Sequence, residues 1–312
     1  MRRFLSFNDF FKSYFDGKTV KLSLDAGFTC PNRDGTLSNK GCLFCTDKGS
    51  GEFAGKREDD LDIQINNQKK LLQNKWKAKN YIAYFQNFTN TYGDLYNIKK
   101  IYNQVVNRKD IAGISIATRC DCLDTETLKY LQEISNEKLM WLELGMQTTN
   151  ENTLKVINRG YTHKIFDEKI KELKEKEILF LIHAIFGLPY ENKDDYLNTI
   201  NYIKNIYPFG VKFHNLYICK NTSIYHMYLN KSFNLISKEE YISTVIYAIK
   251  QMPPNTVIHR ITGDPNKSTL YKPNWCGDKL SIISEIDKRL KLENIDIKTE
   301  KDIKIAVDYW KK

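Results

Sequence analysis

The sequence predicts an α/β fold, an incomplete parallel barrel followed by a C-terminal extension. Three observations carry this expectation. Short, nearly continuous apolar runs alternate with stretches of helical period, the pattern of parallel strands buried on both faces and returned by helices. Polar residues follow or interrupt each later run, as expected where a barrel places its chemistry at the C-terminal ends of its strands. The 312 residues can bury a full core and match one barrel-sized domain.

In chain order, residues 1–18 read as an aromatic-rich lead-in. Thr19-Val-Lys-Leu-Ser-Leu24 alternates as a short strand that delivers the loop behind it. Past that loop, Gly49-Ser-Gly-Glu-Phe-Ala-Gly55 is too rich in glycine for regular structure and can bring backbone close to a bound group. A helix over residues 61–77 follows. Strands are predicted over 81–85, 113–117, 140–144, 179–186 and 211–217, with helices over 94–107, 124–135, 163–176 and 193–206. With the first strand this makes six, a partial (β/α)6 barrel over residues 19–218. The extension, 219–312, holds a helix over 238–251, a last strand within 256–264 with a polar exit, Trp275, and helices over 279–292 and 298–310.

The predicted strand ends are Gln86-Asn-Phe-Thr-Asn-Thr91, Thr118-Arg-Cys-Asp121, Gly145-Met-Gln-Thr-Thr149 and Gly187-Leu-Pro-Tyr-Glu191, while Lys212 and His214 lie inside the sixth strand. Asn, Thr and Asp also cap helices, so each cluster taken alone has a purely structural reading. Their recurrence at successive strand ends favours a site.

Cys30, Cys42 and Cys45 frame the loop after the first strand. Two thiolates separated by two residues reach one metal centre from a single turn, and a third from the same loop gives three corners of four. A structural zinc site would want a fourth ligand nearby, but nothing between Thr46 and Arg119 is Cys or His. An iron–sulfur cluster held at three irons keeps one iron open, which is what catalysis needs. The remaining cysteines, Cys120, Cys122, Cys219 and Cys276, are scattered. Cys122, Cys219 and Cys276 read as buried apolar thiols.

Seven cysteines without a secretory leader point to reduced thiols in the cytoplasm. No run approaches the ~18 apolar residues of a membrane span, so no membrane partner is expected. A formal charge of +10 and nineteen tyrosines suit a polyanion such as RNA. The scattered lysines equally suit a Lys-, Asn- and Ile-rich composition with no such partner.

The three cysteines, together with Asp25-Ala-Gly-Phe-Thr-Cys-Pro-Asn-Arg-Asp-Gly35, the glycine run 49–55, Glu143-Leu-Gly-Met-Gln147, Ile157-Asn-Arg-Gly160 and His259-Arg-Ile-Thr-Gly-Asp264, resemble the radical S-adenosylmethionine (SAM) superfamily. Within it they resemble the YtqA/YhcC-type subgroup, related to the radical module of the Elongator catalytic subunit. The resemblance covers nearly the whole chain and stops short of that subunit's acetyltransferase half. It implies a TIM-like partial barrel, a [4Fe–4S] cluster on Cys30, Cys42 and Cys45, SAM as co-substrate, and a one-electron reductant such as flavodoxin or ferredoxin. It further implies Phe44 beside the adenine and Gln86 and Asn87 near the methionine amino group. Thr118, Gln147, Arg159 and His183 match further cofactor-contacting positions. Cys120 stands where relatives usually have Pro, and Tyr190 where many have Gly.

The YtqA branch implies a tRNA substrate. Hydrogen abstraction from the carboxymethylaminomethyl group of a wobble uridine, followed by oxidation and hydrolysis, would leave aminomethyl-uridine, in the route to 5-methylaminomethyl-2-thiouridine. Arg119, Lys212 and Arg260 are candidates to hold the carboxylate. His214 and His259 could move protons, although a lone strand histidine is more often a satisfied core residue. Asp264 and Trp275 complete the candidate set, Trp275 as a base-stacking or a packing residue. A radical enzyme acting on a protein or small metabolite keeps every cluster feature. A zinc-stabilised RNA-binding protein would require a fourth ligand.

Overall fold

The computed structural model describes residues 2–49, 51–73 and 75–311. Its elements run α1 (Phe7–Tyr14), β1 (Thr19–Leu24), α2 (Leu61–Gln73), β2 (Asn80–Phe85), α3 (Leu95–Val106), β3 (Gly113–Thr118), α4 (Thr125–Glu137), β4 (Leu139–Gln147), α5 (Glu151–Val156) and α6 (His163–Glu175). They continue with β5 (Leu179–Phe186), α7 (Lys193–Ile206), β6 (Gly210–Asn215), β7 (Ile218–Cys219), α8 (Ser223–Leu229), α9 (Lys238–Gln251), β8 (Val257–Arg260), β9 (Leu270–Lys272), α10 (Lys279–Leu292) and α11 (Glu300–Trp310).

Seven parallel strands form one sheet in the order β1-β2-β3-β4-β5-β6-β8. The chain is an α/β half-barrel, with one strand more than the six expected, because β8 from the extension pairs in parallel with β6. The pairing continues past β8, where Ser6 bridges Ile258. Strands and outer helices share one apolar core, in which Leu22, Phe85, Ile116, Leu142, Ile182 and Phe213 point away from the lumen.

The lead-in is aromatic for a structural reason. Ser6 caps α1, accepting from Asp9 N at 3.2 Å, and the helix drives Phe10 and Phe11 into the wider-spaced N-terminal end of the barrel against Trp141 and Phe209. Helix α11 covers the same end through Ile303, Ala306 and Val307, so the two terminal segments close the barrel floor together.

Polar caps set several boundaries. Asp94 accepts from Asn97 N, and Asn192 and Asp195 form a capping box that starts α7. Helix α2 ends at Gln73, short of the expected 77, with Asn74 outside the described residues. Strand β6 stops at Asn215, and α11 begins at Glu300 behind a Thr299–Asp302 capping box. Helices α5 and α8 and the β7–β9 pair were not anticipated; each is short and lacks a full period of pattern.

Candidate functional site

A cavity of about 590 Å³ opens at the C-terminal ends of the strands and continues down the lumen. Cys30, Cys42 and Cys45 lie at its mouth. Their loop is fixed by its own backbone, with Arg33 N donating to Cys30 O at 2.8 Å and Cys45 N to Cys42 O at 3.0 Å. The Arg33 guanidinium donates to Cys45 O and Thr46 O. Asn32 Nδ2 points at Cys42 Sγ, 3.6 Å away, as a donor to a thiolate would. The neighbouring Cys45, then burial, push the Cys42 thiol up.

The glycine run packs over this mouth, its Ser50 lying outside the described residues. A Cβ at Gly51 would meet Asn87 Oδ1 at 1.4 Å and one at Gly55 would meet Gln64 Oε1 at 2.3 Å, so these glycines permit close approach. Asn87, expected beside the cofactor, braces this loop. It is buried outside the cavity lining and donates to Asp25 Oδ2 at 2.7 Å, beside Arg57, which grips the same carboxylate at 3.1 Å.

Below the mouth, side chains alternate into the lumen with the period of two that strands impose. At its centre is Glu143, a residue the sequence reading quoted in a motif without assigning it a role. Its side chain is 0% exposed and accepts from Lys21 Nζ at 2.5 Å, His183 Nε2 at 2.9 Å, Ser115 Oγ at 2.7 Å, Trp141 Nε1 at 3.3 Å and Lys212 Nζ. Burial opposes its charge, yet Lys21 and Lys212 outweigh it and hold the carboxyl well below the usual range. Burial in turn brings Lys212 down to about 7 and His183 down to about 4. A charged residue in the middle of the apolar run Leu139-Met-Trp-Leu-Glu-Leu144 was the available signal, as was Lys21 between Val20 and Leu22.

The other expected site residues divide. Phe44, Gln86, Thr118, Gln147, His214, His259, Arg260 and Asp264 all line the cavity. Thr118 Oγ1 is 2.5 Å from Thr91 Oγ1, and Asp264 pairs with Lys279 at 2.6 Å. Gln147 ends β4 at φ +68°, a left-handed conformation held by Arg159, whose Nη1 donates to Met146 O at 2.9 Å. Arg159 lines the cavity but directs its other bonds to Tyr161 O, so its donors brace the Gln147 turn where a cofactor contact was expected.

Arg119 also lines the cavity but is committed, with Nε and Nη2 on Asp121 at 2.9 and 2.7 Å and Nη1 on Arg159 O; it is withdrawn as a substrate clamp. Trp275 is away from the cavity, packed 5.5 Å from Tyr241. Cys219 and Cys276 are buried, but Cys122 is only half-buried, beside the cysteine loop. His259 lies among Phe7, Phe11, Trp141 and Phe209, an aromatic setting that favours a neutral ring over proton transfer.

A parallel half-barrel with three cysteines at the mouth of its lumen defines a class of enzyme in which a strand-end loop carries a metal cluster. The chain belongs to the Radical SAM superfamily, whose pattern matches residues 35–203, followed by a Radical_SAM C-terminal domain over 208–292. It is 37% identical to YtqA of Bacillus subtilis (93% of this chain, 90% of that one) and 33% identical to YhcC of Escherichia coli K12 (88% and 87%). In structure it is similar to the archaeal Elp3 of Methanocaldococcus infernus with its N-terminus deleted, at TM-score 0.66 and 15% identity, covering 89% of this chain and 64% of that one.

Membership implies a [4Fe–4S] cluster and SAM, and the residues fit them. Three thiols of one loop face one cavity, with an amide donor already aimed at one sulfur. Among the described residues no three Cys, His, Asp or Glu side chains close on a single ion. No helix among the described residues is long and apolar enough to cross a membrane.

Proposed function

We propose that the protein is a radical SAM enzyme that converts the carboxymethylaminomethyl group of a tRNA wobble uridine to aminomethyl. The observation that carries this reading is the continuity of the cysteine-lined mouth with a polar lumen closed at its floor. When bound, the cluster would supply the electron that cleaves SAM to methionine and a 5′-deoxyadenosyl radical able to take hydrogen from the methylene between nitrogen and carboxylate; loss of a second electron to a one-electron acceptor, and of a proton, would leave an imine that water splits into aminomethyl-uridine and glyoxylate.

The chain's own residues do the rest. Cys30, Cys42 and Cys45 hold the cluster, Phe44 and Gln147 flank the nucleoside, and the glycine run lets backbone close over the mouth. Phe7, Trp141 and His259 seal the lumen's lower end against water, and a dry lumen protects a reactive species from quenching. The resemblance to the YtqA branch supplies the tRNA, a flavodoxin or ferredoxin would supply the electron, and the net charge is compatible with RNA.

The test is anaerobic reconstitution with iron and sulfide, then dithionite, SAM and tRNA bearing the carboxymethylaminomethyl group. 5′-Deoxyadenosine and aminomethyl-uridine are expected, and neither from a C30A/C42A/C45A variant. 5′-Deoxyadenosine with unchanged tRNA would overturn the substrate. Retained zinc with no 5′-deoxyadenosine would overturn the proposed chemistry.

A further inference from the structure

We infer that the lower lumen is an anion subsite, built by Arg260 and His214 with Lys212 beside them, that grips the substrate's carboxylate and rejects the aminomethyl product. The inference rests on the proposed reaction and deepens it by assigning the groups that tell substrate from product.

The charges of the chain's own side chains do not balance in the lumen. Lys21, Lys212 and Arg260 face it, and among the described residues Glu143 is the fully buried counter-charge, saturated by five donors, while Glu52 lies in the glycine run over the mouth and accepts from Thr46. Asp264, higher up, is paired with Lys279. Burial keeps the His183, His214 and His259 rings neutral near pH 7. The lumen therefore carries an excess of one to two positive charges, according to whether Lys212 is protonated.

Among the described residues Arg260, His214 and, at the floor, both ring nitrogens of His259 also lack partners. Arg260 makes no hydrogen bond or ion pair among the described residues, unlike Arg119. It stands opposite Lys212 across the β6–β8 ladder, close enough to disfavour protonation of Lys212, His183 and His214. His214 stacks on His183 with ring centroids 5.2 Å apart, and its Nε2 is buried without a partner.

A buried polar atom is costly to leave unpaired, so the His214 nitrogen, with the partly exposed Arg260 guanidinium beside it, is completed by an acceptor from outside the chain. A carboxylate offers two coplanar oxygens, which a guanidinium can take as a fork while an imidazole N–H takes a remaining lone pair. Removing the carboxymethyl group leaves an ammonium, which the same excess charge repels. Substrate capture and product release thus follow from one set of residues.

The experiment measures binding to reconstituted protein with SAM and no reductant, by fluorescence anisotropy. The probes are anticodon stem-loop RNAs carrying carboxymethylaminomethyl-, aminomethyl- or unmodified uridine at the wobble position, with N-methylglycine as competitor. The carboxylated RNA is expected to bind roughly 10-fold tighter than the aminomethyl RNA, the factor that one charged hydrogen bond supplies. Arg260→Gln should erase the preference, Arg260→Lys should restore part of it, and His214→Gln should weaken it, with iron content unchanged.

If Arg260→Gln fails to load iron, the Arg260→Lys and His214→Gln variants decide the matter. Equal binding of the carboxylated and aminomethyl RNAs by the unchanged protein, untouched by these substitutions, would overturn the subsite. N-Methylglycine bound in an Arg260-dependent way, with no preference among the RNAs, would uphold the subsite and overturn the tRNA reading.

Discussion

Inside the lumen the Glu143 carboxylate holds Lys21 and Lys212 apart from each other's charge. Glu143→Gln leaves two buried ammonium groups with a neutral partner, and a loss of about 3–5 kcal/mol of stability is expected from urea unfolding. The neighbouring imidazoles give the protein a definite pH response. His183 is held down to about 4 by burial and then by Lys212, while His214 and His259 are also pushed well below their ordinary value by burial. From about pH 6.5 down to about 4 the unfolded chain binds more protons than the folded one. Stability should therefore fall as pH drops through that window, and an unfolding midpoint that stays flat from pH 7 to 4.5 would contradict the buried neutral rings. Glu143, with its lowered value, adds to the loss only at still lower pH. Tyr190 offers a test in the opposite direction. It sits at φ +67° with its side chain 61% exposed, so the backbone keeps the conformation that glycine favours although the residue is tyrosine. Tyr190→Gly should be neutral or stabilise by up to about 1 kcal/mol in the same assay.

The glycine run and the two terminal helices govern access to the lumen from opposite ends. At Gly51 even a methyl group would overlap the Asn87 amide, itself anchored to Asp25. Gly51→Ala should therefore displace the loop over the mouth and weaken SAM binding at least ~10-fold in a titration of reconstituted protein, for a cost in fold stability of only about 1–3 kcal/mol. At the floor, Phe11 is fully buried and stacks on Trp141 at 5.4 Å. Phe11→Ala should cost about 3–5 kcal/mol in urea unfolding, and the opened floor should raise 5′-deoxyadenosine release that is not matched by product. Tight coupling in that variant would show that water exclusion does not depend on the plug formed by α1 and α11.

For the whole molecule, the charge of +10 matters only if RNA is the partner, and then affinity should fall log-linearly with salt as Lys and Arg release counterions. An affinity for tRNA insensitive to salt between 50 and 200 mM would remove phosphate contact from the picture. Much of the architecture was legible beforehand because burial on both faces writes continuous apolar runs, and caps such as Asp94 and Asn192 mark where helices begin. The predicted bounds of β1, β5, α7, α9 and α10 coincide with the observed ones for this reason. Helix α1 and strand β8 were read as lead-in and extension, because the floor joins α1 to α11 and β8 across some 250 to 300 residues of chain, and the seventh strand is added only when β8 crosses back over α9 to pair with β6. The cysteine spacing and strand-end polarity likewise pointed to the mouth of the site. Whether a given cation was available could not be read there, since Arg119 and Arg260 are alike in sequence, whereas in the fold Asp121 and the Arg159 carbonyl occupy one guanidinium and no partner among the described residues occupies the other. The sequence by itself determined the class of fold and the cluster loop, which are set by local pattern and spacing. Only the tertiary structure decided that Glu143 is the electrostatic centre and that Arg260 faces the lumen without a partner among the described residues, because charge compensation depends on which side chains meet across the lumen.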